Sequence, residues 1–212
     1  DYDRFVMPVD LAAPEGWSDI ASFLADLRPV LEALHTTQLH PAEQTLRGGT
    51  QTRGLLFQKR HPAIQGLKAS IHHAIASQLA GLTFDMDHPF LGRMGDDIRC
   101  AGSWSVRLAS EGFHVSHIHP AGWLSSACYI SLPPEVARGD DNAGALQFGV
   151  PDSVFGLDLA PRRIVAPAEG RLVIFPSYLW HGTLPFESAD HRMTVAFDAM
   201  PQAVLSMNNI LV

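Results

Sequence analysis

His117-Ile118-His119-Pro120, followed by Trp123-Leu124-Ser125-Ser126-Ala127-Cys128-Tyr129-Ile130, is the stretch on which the reading of this chain turns. In an extended chain, side chains two positions apart project to one face. His117 and His119 therefore aim at a common point, whereas His114 and Ile118 have the opposite parity and are expected to point away. A His-x-His pair alone is a weak signal, because solvated or core-satisfied pairs are the commoner outcome. The run after it reads as a strand. Its alternation puts Trp123, Ser125 and Tyr129 together on a face expected to line a barrel interior.

Outward from this point the chain stays β in character. Residues 98–108, 145–150, 163–166, 171–175 and 192–199 are short runs with β-branched or aromatic members, separated by Gly, Pro, Asp and Asn clusters. Short strands at this spacing predict a mainly β sandwich, jelly roll or barrel. Upstream the periodicity changes. Ile20, Phe23, Leu24, Leu27, Leu31 and Leu34 mark one helical face, with Ser18 as N-cap and Pro29 expected to kink or split the helix. Ile64, Leu67, Ile71, Ile75 and Leu79 mark a second helix with Pro62 in its first turn. The glycine- and hydroxyl-rich segment 46–54 between them reads as a loop, with a composition that also suits a flap. This predicts a helical N-terminal extension over 1–96 packed on a β core over 97–212, the two forming one structural domain.

Two downstream features join the histidine pair. His181 follows the apolar run Phe175-Pro176-Ser177-Tyr178-Leu179-Trp180, at the end of a strand. Two ligands from one strand and one from another make a facial triad whose open face is left for water, co-substrate or oxygen. Imidazole suits iron, zinc, nickel and copper alike, so ligand type does not choose the metal. Arg192 then opens Arg-Met-Thr-Val-Ala-Phe-Asp, where alternation places Arg192 and Thr194 on one face and Met193, Val195 and Phe197 on the other. A guanidinium beside a hydroxyl is a carboxylate clamp. The competing reading of Arg192 by itself is a surface ion pair.

Composition narrows the partners. The 212 residues are 46% hydrophobic and 17% charged, enough for a sizeable core. With 15 Lys+Arg against 22 Asp+Glu, a net charge of −7 and no basic run, a nucleic-acid backbone is not an expected partner. Cys100 and Cys128 read as buried, reduced thiols, and no membrane span or leader is visible, which predicts a cytoplasmic protein. The chain opens at Asp1 without a methionine, which reads as a piece of a longer protein, from which any targeting segment or N-terminal partner domain would be missing. No Gly-x-Ser-x-Gly, phosphate loop or Cys-x-x-Cys offers another engine.

The ordered set His117-Ile118-His119-Pro120, Trp123 to Ile130, Gly170-Arg171-Leu172-Val173-Ile174-Phe175-Pro176-Ser177, His181 and Arg192-Met193-Thr194 resembles the 2-oxoglutarate/iron(II) oxygenases. More narrowly, it is similar to a prolyl-hydroxylase-like group often fused to tetratricopeptide repeats. The stretch 41–56, with its Gly-Gly-Thr-Gln-Thr, is similar to that group's N-terminal part. The resemblance implies a double-stranded β-helix of the jelly-roll, cupin-like kind. It also implies iron(II) held by His117, His119 and His181, and 2-oxoglutarate anchored by Arg192 and Thr194. Tyr129 or Ser125 would add a hydrogen bond to the co-substrate. The activity it implies is hydroxylation of a peptide or small-molecule substrate with O2, as 2-oxoglutarate is oxidatively decarboxylated to succinate. One position departs from the usual pattern: His119 stands where most members carry Asp or Glu, leaving the site one unit more positive. The rival readings are a cupin-like metal enzyme that dispenses with 2-oxoglutarate, and a non-catalytic jelly-roll binding module.

Overall fold

Alternation along residues 171–176 shows how the core is divided. Leu172 and Ile174 join an apolar layer under the helices, while Val173 and Phe175 turn the other way to meet Tyr129, Leu146, Phe148 and Val165. A strand covered on both faces has no polar side to present, hence the run Arg-Leu-Val-Ile-Phe-Pro.

The computed structural model describes residues 1–36, 45–95, 97–139 and 141–202. The elements are α1 (Tyr2–Phe5), β1 (Met7–Asp10), α2 (Ile20–Glu32), β2 (Leu46–Gln51), α3 (Pro62–Leu79), β3 (Asp97–His114) and β4 (Leu124–Ser131). They continue with α4 (Pro134–Arg138), β5 (Leu146–Phe148), β6 (Arg163–Val165), β7 (Arg171–Pro176), β8 (His181–Thr183) and β9 (Arg192–Gln202). Six strands form an antiparallel sheet in the order β1-β7-β4-β9-β3-β2, and three form a second, β6-β5-β8. Side chains of β4 and β7 meet those of β5 and β6 between the two sheets, giving a mainly β, double-stranded β-helix. On the outer face of the larger sheet, Phe23, Leu24, Leu27 and Leu31 of α2 and Leu67 and Ile71 of α3 pack with Cys128, Leu172, Ile174, Val195 and Phe197. Burying each such leucine contributes about 1.5–3 kcal/mol, so this layer fastens the helices to the sheet.

The N-terminal part is more than helical. It supplies both edge strands of the larger sheet, β1 along β7 and β2 along β3. The second of these corrects the loop expected over 46–54. Glycines there permit close backbone approach: a Cβ on Gly49 would lie 2.4 Å from the Arg107 carbonyl oxygen, beside the register shift between Arg47 and Gly49. Residues 41–44 of the stretch similar to the family's N-terminal part lie outside the described residues.

The helix ends also differ in detail. Asp19, not Ser18, caps α2: its carboxylate accepts from Ser22 N at 2.7 Å within a capping box. The helix runs through Pro29 without splitting, because near the C-terminal end the ring removes a single hydrogen bond that the packed face outweighs. Cys100 and Cys128 are free thiols. No helix among the described residues is long and apolar enough to cross a membrane.

Candidate metal and co-substrate site

His117 and His181, distant in sequence, face each other as an antiparallel bridge in which each backbone N–H donates to the other's carbonyl, at 2.9 and 3.0 Å. His119 N donates to Ser177 O at 2.9 Å, holding the next residues in line. β8 in turn pairs with β5, His181 opposite Phe148. Gly182 allows this closure: a Cβ there would meet the His114 carbonyl oxygen at 3.0 Å. The outcome is that His117, His119 and His181 each bring a ring nitrogen within 4.8 Å of the others.

The hydrogen bonds on the far side of each ring decide which nitrogen faces inward. His117 Nδ1 is 2.8 Å from Val115 O, and His181 Nδ1 is 2.9 Å from Leu179 O. His119 Nδ1 is 2.7 Å from Asp198 Oδ2. Carbonyl and carboxylate oxygens only accept, so all three Nδ1 atoms carry the proton and donate. Three Nε2 lone pairs are thereby left for a common ion. Burial pushes His117 down to about 4 and His181 well below the ordinary histidine range, the neighbouring imidazoles adding to the effect. Both rings are neutral at pH 7, as a ligand must be.

These residues line an open cavity of about 510 Å³ together with Trp104, Val106, His114, Ser125, Arg192 and Thr194. Arg192 is only 2% exposed. No carboxylate pairs with it among the described residues, and its Nε has no hydrogen-bond partner. Its guanidinium lies 4.8 Å over the Tyr129 ring, and the Tyr129 hydroxyl likewise lacks a partner. A buried guanidinium with no acid beside it costs several kcal/mol unless an anion arrives to meet it. Thr194 lies on the same face, opposite Val106 on β3 and Tyr129 on β4. Arg192 and Thr194 could thus receive a carboxylate, and the histidine triad in the same cavity could hold a divalent ion.

Two placements differ from strand parity. His114 lines the cavity instead of pointing away, because the strand ends there and the chain bends at Ser116 before the His117 bridge. Its Nδ1 bonds Thr45 Oγ1 at 3.1 Å, it stays outside the three-histidine cluster, and burial holds it at about 3. Trp123 leaves the inner face for the outer layer, stacked on Phe90 at 4.9 Å with its indole N–H donating to Phe90 O. It precedes the first residue of β4, so the strand's alternation does not govern it. Ser125 does point inward, but its hydroxyl donates to Asp198 Oδ1 at 2.7 Å and lies 2.9 Å from Ser177 Oγ. Asp198 itself is the residue that sequence reasoning missed. Alternation from Arg192 and Thr194 reaches it, yet nothing local says that it meets His119.

Residues 102–198 match the family model described as "Putative 2OG-Fe(II) oxygenase". No curated protein matches the sequence. Among solved structures, the chain is similar to a Pseudomonas putida prolyl-4-hydroxylase, at 15% identity and a TM-score of 0.61 over 96% of each chain. It is also similar to HygX from Streptomyces hygroscopicus with nickel and 2-oxoglutarate bound, at 12% identity and a TM-score of 0.59, covering 95% of this chain and 85% of that one. A third similar structure is a Trichoplax adhaerens prolyl hydroxylase in complex with a hypoxia inducible factor peptide fragment, at 14% identity and a TM-score of 0.60, covering 93% and 84%. From the middle of β3 to near the end of β9, residues 102–198 carry the sequence pattern of the 2-oxoglutarate/iron(II) oxygenases, and the fold around them is the one these solved structures share.

Proposed function

We propose that His117, His119 and His181 hold iron(II), and that Arg192 with Thr194 receives the far carboxylate of 2-oxoglutarate in the hydroxylation of a peptidyl or small-molecule C–H bond. The observation that carries this reading is the buried Arg192 guanidinium without an acidic partner, in the same cavity as three Nε2 lone pairs. A cupin-like metal site that dispenses with 2-oxoglutarate gives no reason to bury that charge. Iron and 2-oxoglutarate, when bound, supply the oxidative decarboxylation and the oxygen transfer.

The chain's own residues supply position and exclusion. The three Nδ1 bonds fix the imidazoles so that no ligand must reorient on metal binding. Arg192 and Thr194 set the depth to which the co-substrate enters, and the Tyr129 ring backs the guanidinium and keeps water from it. Trp104, stacked near His119 at 6.3 Å between ring centres, forms a wall of the cavity against which a substrate side chain can rest. The test is anaerobic addition of iron(II) and then 2-oxoglutarate to the protein. A visible charge-transfer band that needs both components supports the reading. Stoichiometric iron without that band, and without any measurable 2-oxoglutarate affinity, would leave the metal centre but remove the co-substrate.

A further inference from the structure

Asp198 is not used by the reading above, and its position asks for a role. It pairs across the sheet with Ser125, and both its oxygens are engaged: Oδ2 with His119 Nδ1 at 2.7 Å and Oδ1 with the Ser125 hydroxyl at 2.7 Å. Ser125 is in turn 2.9 Å from Ser177 Oγ, while Ser177 O receives the His119 backbone N–H at 2.9 Å. No Lys or Arg pairs with Asp198 among the described residues. Of the three histidines, His117 and His181 donate Nδ1 to neutral backbone carbonyls, and His119 alone donates to a charged group.

All three candidate ligands are neutral imidazoles, so the set itself brings no negative charge to a metal ion. A divalent ion and the Arg192 guanidinium together bring three positive charges to the cavity, and a 2-oxoglutarate dianion brings two negative ones. Asp198 brings the third. A carboxylate accepting the N–H of a ligating imidazole also makes that imidazole the stronger donor. Resting on the iron reading above, we infer that Asp198 is a positioning residue of the metal centre. It fixes the His119 tautomer and returns, one bond further from the ion, the negative charge that a carboxylate ligand would have supplied.

The experiment uses the whole chain, loaded with iron(II) anaerobically, as wild type, Asp198→Asn and the double variant His119→Asp/Asp198→Asn. It reads iron affinity and the Fe(III)/Fe(II) midpoint potential. Asparagine keeps the size and an accepting oxygen but not the charge. The expected result is roughly 10–100-fold weaker iron binding and a potential moved to more positive values, since lost negative charge disfavours Fe(III). A purely structural role would lower Tm and leave the potential where it was. The double variant returns the charge to the ion directly and should recover the wild-type potential, even if Asp198→Asn alone is poorly folded. Wild-type affinity and potential in Asp198→Asn, or failure of the double variant to recover the potential, would overturn the inference. Asp198→Asn losing iron altogether while His119→Ala retains it would also overturn it, by making Asp198 a ligand. Wild type that takes up no iron overturns the metal reading itself, a result distinct from all of these.

Discussion

Replacing Arg192 by Ala is the perturbation that most sharply separates an oxygenase from other metal-bearing barrels. The guanidinium is 2% exposed and lies over the Tyr129 ring, so its bond to an incoming carboxylate is charge-assisted and shielded from water. Truncating one partner of such a pair costs about 2–5 kcal/mol. At about 1.4 kcal/mol per factor of ten, 2-oxoglutarate should bind roughly 30-fold to several-thousand-fold more weakly. Arg192→Lys should recover only part of this, because an ammonium cannot present a planar fork. Iron affinity should hold in both variants, since Arg192 is not a ligand. The unliganded protein gives a second readout with the opposite sign. Arg192→Met removes a buried charge that no acid neutralises among the described residues, so it should leave the unliganded protein as stable or more stable by about 1–4 kcal/mol. At 2-oxoglutarate near one hundred times its Kd, wild type should gain about 2.7 kcal/mol, or roughly 5–10 °C in Tm for a chain of this length. The Met variant should gain none. Anaerobic calorimetric titration and thermal melts measure both. Equal 2-oxoglutarate affinity in wild type and Arg192→Ala would refute the clamp and leave a histidine-rich metal barrel.

Other outcomes follow from the same geometry. His117→Ala and His181→Ala should each abolish iron binding by elemental analysis, while His114→Ala, whose ring bonds Thr45 outside the triad, should retain the metal. Gly49→Ala should destabilise the fold by about 1–3 kcal/mol in urea melts, because its Cβ would sit 2.4 Å from the Arg107 carbonyl oxygen at the β2–β3 edge. Buried His35, bonded to Thr50 and Ser105, is pushed down to about 4 by burial, with Arg107 adding to it. The unfolded chain therefore binds more protons between pH 6.5 and about 4, and stability should fall as pH drops through that window. His35 should account for about 2 kcal/mol of the loss between pH 7 and 5, and a His35→Gln variant should show a correspondingly shallower decline in chemical denaturation.

Strand alternation and helical spacing are properties of a short length of backbone, and what rested on them was legible in the sequence. The helical faces of α2 and α3, the shared face of Arg192 and Thr194, and the inward aim of His117 and His119 all belong to this class. Alternation failed where the strand failed. His114 and His117 lie on either side of a bend at Ser116, and Trp123 stands one residue before β4 begins. Composition misled at Leu46–Gln51, since glycine is common in loops and is also required where two strands approach as closely as Gly49 and Arg107 do.

By itself, then, the sequence determined the mainly β core, the two helices that cover it, the shared aim of His117 and His119 and the shared face of Arg192 and Thr194, because each depends on residues within a few positions of one another. The tertiary structure alone decided which groups meet across the sheets. It brought His181 against His117, set Asp198 behind His119, gave His35 the hydroxyls of Thr50 and Ser105, and buried Arg192 with no acid beside it among the described residues. Those pairings are fixed by register between strands and by which edges the N-terminal segments take. Register is settled by the burial of whole faces at once, a sum over many distant residues that no local stretch of sequence contains.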